Sequence, residues 1–215
     1  ETFIIDGEII SIQKKDGIYY LSEDQMLSES QVAHLRAQDD GNAGTVQRAT
    51  VTSDFRKLWK DGIVYYNISD FNKKADILAA MKRLSDAVPA LKFVERTNQQ
   101  HYIDFVASSQ NSSYVGMTGG RQIINLYNRQ KFIIQHEICH ALGVDHEQNR
   151  PDRDQYIKIH YSNIYSGVEH NFQPSYGFKG IGGFDFKSIM LYDSYAFSKN
   201  GKPTITKHVG SAFSG

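Results

Sequence analysis

Alternating and periodic apolar positions fill the middle of the chain and predict most of its regular elements. Alternation and β-branched content predict strands at Ile63–Ile68, Leu91–Arg96, Tyr102–Ser108 and Gln122–Tyr127. Apolar residues recur at helical spacing from Ser69 to Val88 and predict a helix that Pro89 ends. A second helix is predicted at Gln130–Leu142, with a buried side formed by Phe132, Ile133, Cys139 and Leu142. The pattern therefore predicts a sheet that one helix supports and another follows.

The first 48 residues have a different pattern. FIIDGEIISI and GIYYLS, which begin at Phe3 and Gly17, predict short strands. Two Ser-x-x-Gln patterns, of Ser22 with Gln25 and Ser28 with Gln31, are typical of capping boxes and predict one or two short helices. The segment DDGNAGT that follows has the composition of a linker.

Charge and composition narrow the class of protein. Basic and acidic residues number 24 each, and the pI is near 7.3. This balance gives no electrostatic reason to expect nucleic acid or an anionic membrane as a partner. No apolar run reaches the length of a membrane-spanning helix. A length of 215 residues suits one domain, which we expect to be a monomer. The single cysteine, Cys139, excludes an internal disulfide and is predicted to be a buried apolar residue.

The segment QHEICHALGVDHEQNRPDRD, which begins at Gln135, carries the strongest chemical signal. On a helix, His136 and His140 project from one face about one turn apart, where two neutral imidazoles can bind one zinc ion. Gly143 is suited to end the helix and turn the chain, because glycine adopts positive φ without steric cost. That turn lets His146 approach the same metal as third ligand and leaves one position for water. Glu137, beside the first ligand, is near enough to act on that water.

Two simpler interpretations compete with a catalytic zinc site. A bare H-E-x-x-H also occurs by chance on helices that bind no metal. A zinc-binding module without catalysis would keep the histidines, but it would not need Glu137. The additional glycine and third histidine, together with the glutamate, favour catalysis.

The string from His136 to His146 resembles that of the metzincin metalloproteases, and the residues after it narrow the family. Glu147 follows the third histidine, and Arg150 precedes Asp152-Arg153-Asp154, a segment similar to that of the astacin family. The resemblance implies a secreted, extracellular endopeptidase with one catalytic Zn²⁺ ion. Its partners would be protein or peptide substrates in extended conformation, with no nucleic acid and no membrane insertion. The lack of disulfides points to a bacterial member.

A second match lies in SIMLYDSYAFS, which begins at Ser188. It resembles the methionine-containing turn beneath the zinc of metzincins, with Met190 as the methionine and Tyr192 two residues later. In astacins this tyrosine ligates zinc or donates a hydrogen bond to the transition-state oxyanion, so Glu137 and Tyr192 are the predicted catalytic residues. The family usually has histidine where this chain has Leu191. Met190, Gly143 and Glu147 are predicted to support the site.

The resemblance also implies an α+β fold, a zincin-like catalytic domain of two lobes. A mixed twisted sheet would carry a backing helix and the active-site helix, and a loop-rich C-terminal lobe would follow. The predicted bounds are 1–48 for the extension, 49–146 for the N-terminal catalytic subdomain and 147–215 for the C-terminal one. In metzincins the strand before the active-site helix is an edge that pairs with substrate. That strand here supplies Ile123, Ile124, Asn125, Leu126 and Tyr127.

Three roles are open for the extension: a folded part of the mature enzyme, which we favour, a pro-segment that blocks the zinc, or a disordered lead-in. Its apolar residues argue against disorder. Astacin pro-segments carry an F-x-G-D motif whose aspartate occupies the open zinc position. Ile5-Asp6-Gly7-Glu8 is similar, with glutamate in place of the aspartate, although Asp-Gly is also an ordinary turn pair.

Overall fold

The structure is a computed structural model that describes residues 1–5, 8–39, 58–69, 71–127, 131–175 and 180–213. Its contacts divide the chain into two units. The first, called the sheet unit below, is Gln13–Val144, and the second, called the loop unit, combines Glu1–Ile12 with Asp145–Gly215. Strands and helices occur together, so the α+β prediction is confirmed.

The strands, numbered in chain order, are β1 (Thr2–Ile5), β2 (Glu8–Ser11), β3 (Gln13–Lys15), β4 (Ile18–Tyr20), β5 (Gln25–Leu27), β6 (Ile63–Ile68), β7 (Lys92–Glu95), β8 (Tyr102–Ala107), β9 (Ser112–Tyr114), β10 (Arg121–Leu126), β11 (Ile157–Ile159) and β12 (Ile205–Lys207). The α-helices are α1 (Glu29–Asp39), α2 (Lys74–Ala87) and α3 (Lys131–Ala141). Within the described residues, no helix has both the length and the apolar character needed to cross a membrane.

The sheet unit is built on a mixed sheet of eight strands in the order β3-β4-β5-β9-β10-β8-β6-β7. Strand β10 pairs in parallel with β8 on one side and antiparallel with β9 on the other. The prediction that Ile123–Tyr127 form a sheet edge is therefore wrong, because neighbouring strands flank β10 on both sides. The strand that intervenes, β9, is only three residues long and is not among the strands that the apolar pattern predicts.

One apolar core joins the inner face of this sheet to α2 and α3. Val64, Phe105, Ile124, Ile77 and Ile138 are all fully buried there. The predicted helix at Ser69–Val88 is shorter in the structure, because a 3-10 turn at Phe71–Lys73 precedes α2.

The buried residues of α2 are Ile77, Ala80 and Met81, whereas Leu78 is 39% exposed. Apolar residues are continuous from Ile77 to Met81, so their spacing alone did not distinguish the face that packs.

The first strands of the large sheet come from the N-terminal extension. The Ser28 capping box forms as predicted: the Gln31 N–H donates to Ser28 Oγ (3.3 Å), and the Ser28 N–H donates to Gln31 Oε1 (2.8 Å). The other predicted box, Ser22 with Gln25, is wrong, because Gln25 begins strand β5. Residues 13–39 of the extension are thus a folded part of the sheet unit.

Short elements and buried polar groups characterise the loop unit. It has two antiparallel pairs, β1 with β2 and β11 with β12, and several 3-10 turns. Among the described residues of this unit, Ile157, Ile164, Phe172 and Ile205 form a small apolar cluster, are at most 1% exposed and are surrounded by partly buried aromatic residues. The loop-rich character expected for residues after 146 is confirmed.

Candidate metal centre

Helix α3 places two imidazoles side by side. His136 and His140 are one turn apart, and their Nε2 atoms lie 3.0 Å from each other. The His140 side chain is fully buried and that of His136 is 15% exposed. Ile134 and Ile138, which are both fully buried, anchor the helix on the core. The expected anchor Phe132 is 54% exposed and so does not serve this purpose.

The end of α3 has a defined geometry that sets the direction of the chain after the second histidine. The Gly143 N–H donates to the His140 carbonyl (2.8 Å), and the Val144 N–H donates to the Cys139 carbonyl (2.9 Å). These two bonds form a Schellman motif, which needs positive φ at the glycine. Gly143 has φ +95°, as its role in the sequence motif predicts. The Trp59 indole N–H also donates to the Ala141 carbonyl (2.9 Å) and so satisfies another carbonyl of the last turn.

A backbone carbonyl fixes the tautomer of His140. Its Nδ1 lies 2.9 Å from the Val144 carbonyl oxygen, which can only accept a hydrogen bond. Nδ1 must therefore carry the proton, and Nε2 keeps its lone pair. A histidine held in this way is oriented and made more basic as a metal ligand.

The third group at this position is Asp24, from the extension. Its Oδ2 lies 3.2 Å from His136 Nε2 and 3.8 Å from His140 Nε2. Ligand atoms bound to a tetrahedral zinc at 2.0–2.2 Å lie about 3.3 Å apart. The three separations, 3.0, 3.2 and 3.8 Å, are close to that value, and the donor set suits zinc. These residues therefore fit a zinc ion.

Glu137 has the environment expected of an acid–base group. Its side chain is 2% exposed, and among the described residues Oε2 has no hydrogen-bond partner. Loss of hydration raises the pKa of the Glu137 carboxyl well above its usual value, and the nearby Asp24 carboxylate raises it further.

His146 lies six residues after His140 and belongs to the loop unit. It is 1% exposed, and its ring centroid lies 4.6 Å from that of Tyr192. The Glu147 N–H donates to the Met190 carbonyl (2.9 Å), and the Tyr192 N–H donates to Gln148 Oε1 (3.1 Å). The loop unit therefore brings together the predicted third ligand, the methionine turn and the tyrosine.

A cluster of charged side chains fixes the position of Glu147, the residue after His146. Arg150 donates to Glu147 Oε1 (3.3 Å) and forms a two-pronged pair with Asp152 (2.9 and 3.0 Å). The same guanidinium donates to the carbonyls of residues 181–183. The Asp185 N–H donates to the same carboxylate oxygen of Glu147, at 2.9 Å. Glu147 thus joins His146 to the segment that leads to Met190.

The sequence analysis did not identify two residues of the extension as part of the site. Asp24 lies at the imidazoles, and Gln25 Nε2 lies 3.3 Å from His140 Nδ1. The motif-like segment Ile5–Glu8 includes residues outside those described. A signal was present in Leu21-Ser22-Glu23-Asp24, which has an apolar residue and an aspartate at the spacing of the F-x-G-D motif.

Cys139 is half-buried rather than fully buried, and it is not among the residues at the imidazoles. Burial raises the pKa of its thiol to about 11, so the thiol stays protonated and is a poor ligand.

Comparison with known proteins identifies the family. Residues 51–213 match the model of the astacin peptidase family. The chain belongs to the astacin family. Flavastacin of Elizabethkingia meningoseptica is 34% identical over 98% of this chain, which spans 50% of the length of that relative. Astacin-like metalloprotease toxin 5 of Loxosceles gaucho is 39% identical over 67% of this chain and 82% of its own.

A solved structure agrees with this assignment. High choriolytic enzyme 1, a hatching enzyme zinc-protease of the medaka Oryzias latipes, superimposes with a TM-score of 0.64 at 34% identity. The match covers 71% of this chain and 80% of that one. The predicted zincin-like fold is thereby confirmed, and the expected zinc metalloendopeptidase class agrees with the family and with this solved zinc-protease.

Proposed function

We propose that the protein is an endopeptidase that hydrolyses internal peptide bonds of proteins and that its own extension holds it latent. The observation that carries the proposal is the convergence of Asp24 Oδ2 with the Nε2 atoms of His136 and His140, at 3.2 and 3.8 Å. A carboxylate of the same chain takes the place that a substrate or water needs. His146 is proposed as the third ligand, since the turn at Gly143 redirects the chain three residues before it.

A zinc ion held by His136, His140 and His146 would supply a Lewis acid and would make water a nucleophile at neutral pH. Glu137 acts as the general base: it takes a proton from the attacking water and later gives it to the leaving amine. Its buried position supports this role, because burial raises the pKa of the Glu137 carboxyl and so makes the carboxylate a stronger base. Tyr192 donates a hydrogen bond to the oxyanion that forms during attack, a contribution worth about 10²–10³ in rate for such donors.

Strand β9 is the edge that we propose for substrate. Its outer side pairs with β5, whose register places Gln25 opposite Ser113. The Ser113 N–H donates to the Asp24 carbonyl (2.8 Å), so the backbone next to the blocking carboxylate is itself paired with β9. If the extension leaves, β9 becomes the exposed edge of the sheet, and an extended peptide can add to it as a new strand.

The test compares casein cleavage by four chains, each assayed for bound zinc. We expect little activity in the wild type and at least about 10²-fold more in the double variant Asp24→Ala/Met26→Asp, which removes the carboxylate and inserts a charge where β5 is buried. Adding Glu137→Ala should lower that activity by about 10²–10⁴ without loss of zinc.

The fourth chain carries His136→Ala in the double-variant background and should lose zinc and activity together. If the double variant with Glu137→Ala cleaves casein as fast as its parent, Glu137 is not the base. If the wild type is already as active as the double variant, the extension does not confer latency.

Secretion is also proposed, because a relative from Loxosceles is named a toxin, and a toxin acts outside the cell that produces it. The measurement is the amount of protein in the culture medium against that in washed cells of the source organism. Protein found only in the cells would refute secretion.

A further inference from the structure

We propose that residues 13–39 form a separable inhibitor: when the chain is cut between residues 39 and 58, they remain bound to the β9 edge and keep the site closed. The binding half of this inference concerns only how the extension is held. The inhibitory half rests on the proposed protease activity. One cut in the connecting segment, the simplest activating event, would therefore leave the protease latent.

Backbone pairing is the first reason. Strand β5 lies between β4 and β9, so both of its sides are paired within the sheet. The Ser113 N–H donates to the Asp24 carbonyl (2.8 Å), and the Val115 N–H donates to the Met26 carbonyl (3.3 Å). None of these bonds involves residues 40–57, so a cut there removes none of them.

Apolar burial is the second reason. Tyr19, Tyr20, Met26, Leu27 and Leu35 are at most 8% exposed, and Met26 and Leu35 are fully buried. Val32, in α1, is fully buried as well. Met26 Sδ lies 3.7 Å from Ser112 Oγ and 3.8 Å from Asn125 Nδ2, so a segment that leaves must expose this side chain to water, which opposes dissociation in proportion to its apolar area.

Side-chain contacts between the extension and the rest of the sheet unit are the third reason. Gln31 Nε2 donates to the Val115 carbonyl (3.1 Å), and Gln110 Nε2 donates to Tyr20 Oη (3.0 Å). Met26 Sδ lies 3.7 Å from Ser112 Oγ. Helix α1, strand β4 and strand β5 are thus each fastened to the sheet unit at a different point.

The contacts specify the partner that this edge accepts in trans. It is a folded segment with a three-residue strand, an aspartate immediately before it and a buried methionine at its second position. An inhibitor of this kind covers a larger surface than an extended substrate does, because it adds two further strands and a helix. Activation would then require a second cut within residues 13–39 or a competing protein that displaces them.

The test uses the full chain with residues 45–50 replaced by the recognition sequence of a site-specific protease. After complete cutting, we expect both fragments to co-elute in size-exclusion chromatography and casein cleavage to stay within about twofold of the uncut chain, as tight binding predicts. Separation of the wild-type fragments, or a large rise in activity on cutting, would overturn the proposal.

Two substitutions of Met26 test the opposite outcome, in which the cut fragment is released. Met26→Asp places a charge at a fully buried position and should weaken binding of the cut fragment by at least about a hundredfold. Met26→Ala, which folds more readily in the uncut chain, should weaken it by more than about tenfold. Ser30→Asp, at an exposed position of α1, is the matched control and should leave the fragments together.

The two proposals fail in different ways. If the Met26 variants release the fragment and the remaining zinc-loaded chain cleaves no casein, the proposed function fails while the binding inference stands. If the cut Met26 variants co-elute as firmly as the wild type, the β9 edge is not what holds the extension.

Discussion

The sheet unit and the loop unit position their functional residues by different means. In the sheet unit, His136 and His140 lie on a helix whose other face is buried against a continuous apolar core. In the loop unit, His146 and Tyr192 lie in irregular backbone, and the described residues form a small apolar cluster around Ile157 and Phe172. In the loop unit, hydrogen bonds from buried charged and polar side chains take the place of the backbone hydrogen bonds that longer strands and helices would supply.

Arg153 is the clearest example of this replacement. It is 3% exposed, and Nη1 donates to the Gln148 carbonyl (2.9 Å) and to the Phe172 carbonyl. Irregular backbone leaves carbonyls that no neighbouring strand can pair, and a guanidinium with five N–H groups can satisfy several of them. The comparison teaches that the sheet unit should be most sensitive to lost apolar volume and the loop unit to lost buried donors.

The largest expected effect is in the core of the sheet unit. Phe105→Ala removes a fully buried ring and should lower the free energy of unfolding by about 3–5 kcal/mol. Denaturant unfolding monitored by circular dichroism measures it. Phe132→Ala, at a residue that is 54% exposed, is the control and should change stability by less than about 0.5 kcal/mol. Similar losses for the two variants would refute the assigned packing of α3 and the sheet.

The second-largest expected loss of stability is in the loop unit. Arg153→Met keeps most of the side-chain volume but removes the guanidinium donor from the buried Gln148 and Phe172 carbonyls. Within the described residues, only the Phe172 carbonyl still accepts a hydrogen bond, from Tyr161 Oη (3.2 Å), so the substitution should cost about 2–3 kcal/mol. Lys158→Met, at an exposed position of β11, should cost less than about 0.5 kcal/mol in the same unfolding assay. An Arg153→Met chain as stable as the Lys158→Met chain would show that the loop unit does not depend on this donor.

The smallest effect is at the end of α3. Gly143→Ala should cost about 1–2 kcal/mol, because an L-residue is strained at φ +95°. It should also weaken zinc binding, since the strain acts on the turn between His140 and His146. Gly183→Ala, where φ is not positive and no atom lies near the added Cβ, is the control for both measurements. Unchanged stability and zinc affinity in Gly143→Ala would contradict the role of the turn.

The zinc-binding motif from His136 to His146 was predictable because metal ligation requires fixed spacing between ligands that lie within a few residues of one another. His136, His140 and the turn at Gly143 all depend on one helix and its end, so local sequence contains the whole signal. The same holds for the capping box of Ser28, whose two hydrogen bonds join residues three apart.

Long-range pairing could not be predicted in this way. Strand β9 has three residues, two of them serines, so its local pattern differs little from a loop. Its partner β5 lies far earlier in the chain, and only the folded sheet brings Met26 opposite Tyr114. For this reason both the position of Asp24 and the interior location of Ile123–Leu126 had to come from the structure.

The central claim is that Asp24 closes a zinc site formed by the histidines of the H-E-x-x-H string. The most direct test is a crystal structure of the zinc-loaded full chain, with anomalous diffraction measured at the zinc edge. We predict one zinc ion bound by nitrogens of His136, His140 and His146 and by an Asp24 carboxylate oxygen, each at about 2.0–2.2 Å. Zinc at the histidines with water as the fourth ligand and Asp24 turned away would contradict the account.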